Sequence, residues 1–276
     1  MAIENGPHPS QRSKIVKENI MSVLEVNHVK KVYKTRIGTE SVTALKDVHF
    51  SVEKGEFVAI MGESGSGKTT LLNILASLDV PTSGKVLVNG KDFSSLKDGE
   101  RAIMRRNNLG FIFQDFNLLD NFTIEDNIKL PLVLAGEDYK TMDDKVEPLV
   151  KILGIEDLLH KFPYEVSGGQ KQRTAVARAL ITKPQILLAD EPTGALDSKA
   201  ATNLMHQLRD IHKSGQTILM VTHSNVAASY ADRVMFIRDG EVFHQIYRGQ
   251  LSRSEMLDKI CDAVTVLMRG GDDNEQ

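Results

Sequence analysis

The sequence contains a single cysteine and no tryptophan, and its longest apolar run is the five residues Phe57–Met61. With Cys261 alone, no intramolecular disulfide can form and a cysteine-built zinc site lacks its ligands. Single free thiols are typical of reducing compartments. A membrane-spanning helix needs roughly 20 apolar residues, so no segment is expected to cross a bilayer. Net charge is also scarce. The 34 Lys+Arg against 37 Asp+Glu leave −3, which provides no field for nucleic acid. The opening residues, MAIENGPHPSQRSKIV, have no apolar stretch of the kind a signal peptide needs. What remains is a soluble globular composition, 41% hydrophobic and 26% charged over 276 residues, long enough for one large domain or two small ones. The expectation from these shortages is a cytosolic protein.

Local patterning divides the chain. Residues 1–22 are polar, carry Gly6, Pro7 and Pro9, and read as a disordered or extended lead. Strands are expected at Val23–Val29, Val48–Val52, Phe57–Met61, Lys85–Val88 and Gly110–Phe113, with turns at Lys54-Gly55 and Asn89-Gly90. A helix should open at Gly67 with Leu71, Leu72, Ile74 and Leu75 on one face, and another should cover Ser95–Asn107. From about 115 to 166 the pattern becomes helical: Thr123–Leu134 (interrupted by Pro131), Thr141–Leu153 and Glu156–Leu159. Helices are then expected at Lys171–Ile181 and Ser198–His212. They alternate with strands Ile186–Ala189, Thr217–Thr222 and Arg233–Ile237, which argues for a mostly parallel, doubly wound sheet. Asp239-Gly240 is a further hairpin signal. Leu251–Arg269 reads as a packed helix, and the acidic end GGDDNEQ as a mobile tail.

Three motifs carry chemistry. Gly62-Glu63-Ser64-Gly65-Ser66-Gly67-Lys68-Thr69 fits the phosphate-binding loop G-x-x-x-x-G-K-[ST], directly after an apolar strand and at the start of an amphipathic helix. Glycines let the backbone wrap phosphate oxygens, and successive N–H groups and the helix N-terminus face the negative charge. Lys68 is expected to reach the β- and γ-phosphates, and Thr69 to ligate Mg²⁺. Thr70 follows in the same nucleotide-binding stretch. The run Ile186–Pro192 is an apolar strand ending in two carboxylates: Asp190 to hold Mg²⁺ through water, and Glu191 to polarise the attacking water. Ser167-Gly168-Gly169-Gln170 has capping-box spacing, yet its adjacent glycines serve a cap poorly and suit a phosphate laid on bare N–H groups. Two phosphate cradles in one chain suggest that one nucleotide is gripped by two copies.

Together, GESGSGKT, VSGGQKQR, LLADEP, GALD and VTH, in this order, resemble the ATP-binding cassette (ABC) ATPases, the nucleotide-binding subunits of ABC transporters, over about residues 23–246. The resemblance implies an α/β P-loop NTPase: a mostly parallel RecA-like core sheet, an N-terminal antiparallel β subdomain and an inserted α-helical subdomain near 115–166. Residues 247–276 would add the C-terminal helix and tail. It also implies that Tyr33 stacks on adenine, that Gln114 senses Mg²⁺ and couples to the membrane subunit, and that Ser167–Gln170 contact ATP on the opposing subunit. Asp197 would lie in the loop crossing the dimer interface, and His223 would contact the γ-phosphate. Two departures, Val166 for the usual leucine and Gly194 for the common serine, remove no catalytic group. GFIFQDFNLLDNFTIEDNIKLPL and HSNVAASYADRV look most like the bacitracin-type (Bce-like) ATPases of the macrolide-exporter and lipoprotein-release class. That likeness implies ATP and Mg²⁺ as cofactors, a second copy of the chain, a separate transmembrane permease and, through it, a membrane histidine kinase. It also implies a place on the cytoplasmic face of the membrane, resistance to and sensing of cell-wall-directed peptides, and no nucleic acid. A cell-division-type regulatory ATPase, or one for lipoprotein release or macrolide export, shares every catalytic motif and remains an alternative.

Overall fold

The computed structural model describes residues 22–34 and 41–272, with side chains as far as Val266. Residues 1–21 of the expected lead (1–22) and the last residues of the tail, 273–276, lie outside them, while Ser22, placed in that lead, opens the first strand. Strands β1 (Ser22–Lys34), β2 (Ser41–Glu53) and β3 (Phe57–Met61) are followed by helix α1 (Lys68–Leu75), then β4 (Ser83–Val88), β5 (Lys91–Asp92), α2 (Asp98–Asn108) and β6 (Leu109–Ile112). Helices α3 (Ile124–Ala135), α4 (Met142–Leu153) and α5 (Gly168–Leu180) come next. The chain closes with β7 (Ile186–Asp190), α6 (Ser198–Lys213), β8 (Thr217–Val221), the short α7 (Asn225–Ala228), β9 (Arg233–Arg238), β10 (Glu241–Tyr247) and α8 (Arg253–Asp272).

The strands form one sheet in the order β5-β4-β1-β2-β10-β9-β3-β8-β7-β6. Its N-terminal part is antiparallel, β1 pairing with β2 and β4, and β4 with β5. Its core, β9-β3-β8-β7-β6, is parallel throughout. The two parts join through a single bridge, Glu241 to Asp47. The α/β P-loop architecture is as expected.

The apolar runs of the core strands follow from burial on both faces. Phe57, Ala59 and Met61 enter one hydrophobic core, while Val58 and Ile60 enter the other. Leu187 and Ala189 of β7 and Ile218 and Met220 of β8 share the first core with α3–α6. Ile186, Leu188, Leu219 and Val221 share the second with α1 and the antiparallel strands. A side chain so buried contributes about 1.5–3 kcal/mol, so β3 is held from both sides where it delivers the phosphate loop.

Several expected boundaries shift. Pro131 does not interrupt α3. The helix forgoes one backbone bond there and is held by buried Ile124, Ile128 and Leu132. Strand β10 was not foreseen because only Ile246 of its seven residues is buried. Helix α8 runs on to Asp272 and takes in the first three residues of the acidic tail. Between 115 and 166 there is no strand among the described residues. Among the described residues no helix is long and apolar enough to cross a membrane.

Candidate functional site

Three adjacent parallel strands end at one place. β3 runs into the loop Gly62–Gly67, β7 ends at Asp190 and Glu191, and β8 ends at Thr222 and His223. This is the carboxyl edge where open α/β sheets place ligands. Gly67 precedes α1 at φ 102, and a Cβ there would stand 2.5 Å from the Ala44 carbonyl oxygen of β2. Only glycine fits that backbone at the helix start. Lys68 folds over the loop, its Nζ donating to the carbonyls of Gly62 at 2.8 Å and Glu63 at 2.6 Å. Ser66 Oγ is buried in the loop without a hydrogen-bond partner among the described residues.

The charges around Lys68 are unbalanced. Burial pushes its ammonium below the usual lysine range, while Glu191, Asp190 and Glu63 oppose that shift. Asp190 is raised by burial and then by Glu191, with Lys68 pulling the other way. Three carboxylates thus face one ammonium, an excess of negative charge that a divalent cation offsets. Among the described residues no group of three or more His, Cys, Asp or Glu forms a cage. A hydroxyl, an amide and one carboxylate (Thr69, Gln114 and Asp190) are the hard oxygen donors that Mg²⁺ accepts alongside phosphate and water.

Glu191 sits at φ 44, rare for a residue with a side chain. Its N–H donates to the Val221 carbonyl at 2.9 Å, which ties the strained residue to β8. Its carboxylate is gripped from the same strand end. Thr222 Oγ1 donates to Oε2 at 3.1 Å, the His223 N–H donates to Oε2 at 3.3 Å, and His223 Nδ1 lies 2.8 Å from Oε1. The His223 ring is mostly exposed, whereas Glu191 is largely covered. Thr222 stood inside the Val-Thr-His triplet without an assigned task; its grip on Glu191 joins residues 31 apart and has no local signature. Val264 of α8 was likewise unassigned. It walls a cavity of about 230 Å³ together with Gly62, Glu63, Ser64, His223 and Asn225.

Tyr33 lies at the outer end of β1. Its hydroxyl donates to Asp79 Oδ2 at 2.8 Å, Lys31 Nζ stands 4.8 Å from the ring centre, and the ring is 42% exposed. It keeps an accessible aromatic surface beside α1. Gln114, after β6, is exposed and lies against Gly194, where a Cβ would come within 3.0 Å of its Nε2. Glycine in place of the common serine therefore makes room for this glutamine.

The second set of residues stands apart from the first. Ser167 caps α5: its Oγ accepts the Gln170 N–H at 3.3 Å, while Gln170 Oε1 accepts the Ser167 N–H at 2.8 Å. Asp197 caps α6 by accepting from the N–H groups of Lys199 and Ala200, both at 2.9 Å. Ser167, Gly168, Gly169, Ala195 and Asp197 line a cavity of about 300 Å³, and no phosphate-loop residue lines it. The capping-box spacing of Ser167 and Gln170 has its structural meaning, and Gly168 and Gly169 of α5 also line this cavity.

Residues 45–194 match the family model described as ABC transporter. The chain is 51% identical over 255 residues to the ABC transporter ATP-binding protein YxdL of Bacillus subtilis, covering 92% of this chain and 97% of that one. It is 46% identical over 256 residues to the bacitracin export ATP-binding protein BceA of Halalkalibacterium halodurans, covering 92% of this chain and all of that one. Among solved structures, the dimeric post-hydrolysis state of the ATP-binding cassette MJ0796 bound to ADP and Pi superposes with a TM-score of 0.74 at 38% identity. That match covers 83% of this chain and 99% of the cassette.

Proposed function

This chain belongs to the ATP-binding family of ABC transporters, and from that premise we propose how it works. Two copies close head to tail around two ATP molecules, hydrolyse them, and drive a separate transmembrane permease that protects against cell-wall-directed peptides of the bacitracin and lantibiotic kind. The observation that carries the reading is the separation of the two cradles: the phosphate loop and the Ser167–Gln170 segment line different cavities of one chain. Each is complete only against a second copy, and the dimeric ADP- and Pi-bound cassette supports that geometry.

In this reading Tyr33 stacks on the base, and the loop Gly62–Gly67 with Lys68, Thr69 and Thr70 holds the phosphates. Asp190, Thr69 and Gln114 hold Mg²⁺, which when bound neutralises phosphate charge and orients the terminal group. Glu191 accepts the proton of the attacking water, and His223 swings from Glu191 to the γ-phosphate. The partner's Ser167–Gln170 donates N–H groups across the interface, and Asp197 anchors the loop that crosses it. Hydrolysis removes the cross-interface contacts and lets the dimer open. The permease reads this motion at a cavity of about 490 Å³ where α2, β6, α3 and α5 meet. That cavity is apolar on Phe111, Phe113 and Leu134 and basic on Arg105, Arg106 and Arg178.

Peptide resistance rests on the full-length likeness to a bacitracin export protein. We extend it to a permease on its own chain, to the cytoplasmic membrane face, and to a membrane histidine kinase that senses peptide through the permease. The test of the core reading is complementation. Lys68→Ala and Gly168→Asp chains should each be inactive alone, and mixing them should restore ATP hydrolysis, because one composite site per mixed dimer is intact. No gain on mixing would show that each site works within one chain. Loss of the gene should lower the tolerated bacitracin concentration, and unchanged tolerance would remove the peptide assignment.

A further inference from the structure

Thr222 is fully buried at the end of β8, and both its N–H and its hydroxyl are hydrogen-bonded. Its N–H donates to the Ile60 carbonyl of β3 at 3.1 Å, so its backbone is pinned one residue short of the phosphate loop's strand end. Its hydroxyl accepts the Ser224 N–H at 3.0 Å, which occupies a lone pair. The single hydroxyl proton is then directed to Glu191 Oε2 at 3.1 Å. Oε2 also receives the His223 N–H, while Oε1 meets the exposed His223 ring.

We propose that Thr222 is a positioning residue for hydrolysis: its hydroxyl holds Glu191 by Oε2 so that Oε1 is presented to the attacking water once the His223 ring leaves it. The inference rests on Glu191 being the base. In the step it serves, the water oxygen forms a bond to the γ-phosphorus and the bond to the bridging oxygen breaks, leaving its electron pair on ADP. The water proton passes to Glu191 Oε1. Two of the carboxylate's three contacts, those from Thr222 Oγ1 and the His223 N–H, persist when the ring swings away. Without the hydroxyl, the side chain of a residue already at positive φ is held by one backbone donor alone, and it rotates when the ring departs.

The experiment measures steady-state hydrolysis and ATP affinity for Thr222→Val, which keeps the shape and removes the donor, and Thr222→Ser, which restores it. Thr222→Val should lower kcat about 10- to 100-fold, the range of a lost hydrogen bond to a charged group, with KM and ATP affinity within twofold. Thr222→Ser should recover kcat to within about threefold. In a Glu191→Gln background, Thr222→Val should change the residual rate less than threefold, because its effect passes through the carboxylate. If the valine variant does not fold, Thr222→Cys, a weak donor of similar size, should show the same split with a smaller loss. The inference fails if kcat is unchanged, if serine does not rescue, or if kcat and ATP affinity fall together, as a merely structural role requires. Should Glu191→Gln itself retain normal turnover, the assignment of the base falls, and Thr222 with it. A collapsed Glu191→Gln beside a normal Thr222→Val overturns the Thr222 role alone.

Discussion

Replacing Gly67 by alanine tests whether the phosphate loop is shaped by steric necessity. At φ 102 the backbone lies in the left-handed region, where a Cβ costs about 1–2 kcal/mol. The added carbon would also stand 2.5 Å from the Ala44 carbonyl oxygen and 2.7 Å from Leu45 Cδ2. Even a weak carbon–oxygen contact needs about 3.3 Å, so the β2 backbone must retreat by about 0.8 Å from the helix it packs on. Overpacking of that kind costs about 1–3 kcal/mol. The sum is about 2–5 kcal/mol, which for a chain of this size lowers Tm by about 5–20 °C. Gly65 is the internal control: it also has positive φ, at +79, but a Cβ there meets nothing within 4 Å. Gly65→Ala should therefore cost only the conformational part, about 1–2 kcal/mol. Urea unfolding of both variants without nucleotide, with equal m-values, gives the comparison. Equal stabilities, within about 0.5 kcal/mol, would refute the steric account, since the surroundings of the two glycines would then be immaterial.

Asp232 anchors the opposite end of β3, where the strand begins. It accepts from Arg209 at 2.6 Å, His212 Nε2 at 3.0 Å and the Phe57 N–H at 3.1 Å. Burial would raise its pKa, but these donors outweigh burial and hold it below the usual carboxylate value of 3.8. A depressed carboxylate stabilises the fold above its unfolded pKa and loses that contribution as pH falls through the folded one. Wild-type Tm should thus begin to drop below about pH 4, and Asp232→Asn should start lower and fall less steeply there; parallel acid melts would contradict this. Tyr33→Leu should raise the KM for ATP about 5- to 150-fold, the range of one base–aromatic stack, with kcat unchanged. Tyr33→Trp should stay near wild type, and an unaltered KM in the leucine variant would remove the adenine role.

What the sequence made legible was local. The phosphate-loop pattern, the strand ending in Asp190 and Glu191, and the capping-box spacing of Ser167 and Gln170 are contiguous patterns readable from spacing, whereas the cap that Asp197 forms on α6 emerged only in the structure. The five-residue run Phe57–Met61 could be read as a buried strand because both faces are covered. What escaped was long-range or marginally apolar. β10 buries one side chain and is held by pairing to β9 rather than by its own pattern. The Pro131 signal was overridden because packing of the apolar face outweighed one lost backbone bond. Gly194 read only as a departure until its contact with Gln114, eighty residues earlier in the chain, supplied a reason. The left-handed Glu191 and its grip by Thr222 depend on strand order, which spacing along the chain does not encode.

The place of β3 has a consequence for how the protein is made. Its neighbours are β8 and β9, and the bonds that lock it join Gly55 to Thr217 and Phe57 to Asp232, 162 and 175 residues apart. At ribosomal speeds of about 5–20 residues per second, the phosphate loop waits about 8–35 s for the strands that will flank it. Throughout that interval β3, buried at all five positions in the finished fold, has an unpaired and wholly apolar surface. The nucleotide site is therefore among the last parts of the molecule to be completed during synthesis. A truncated nascent chain should display the phosphate-loop sequence without being able to use it, and chaperones rather than ATP are the ligands suited to that early stage.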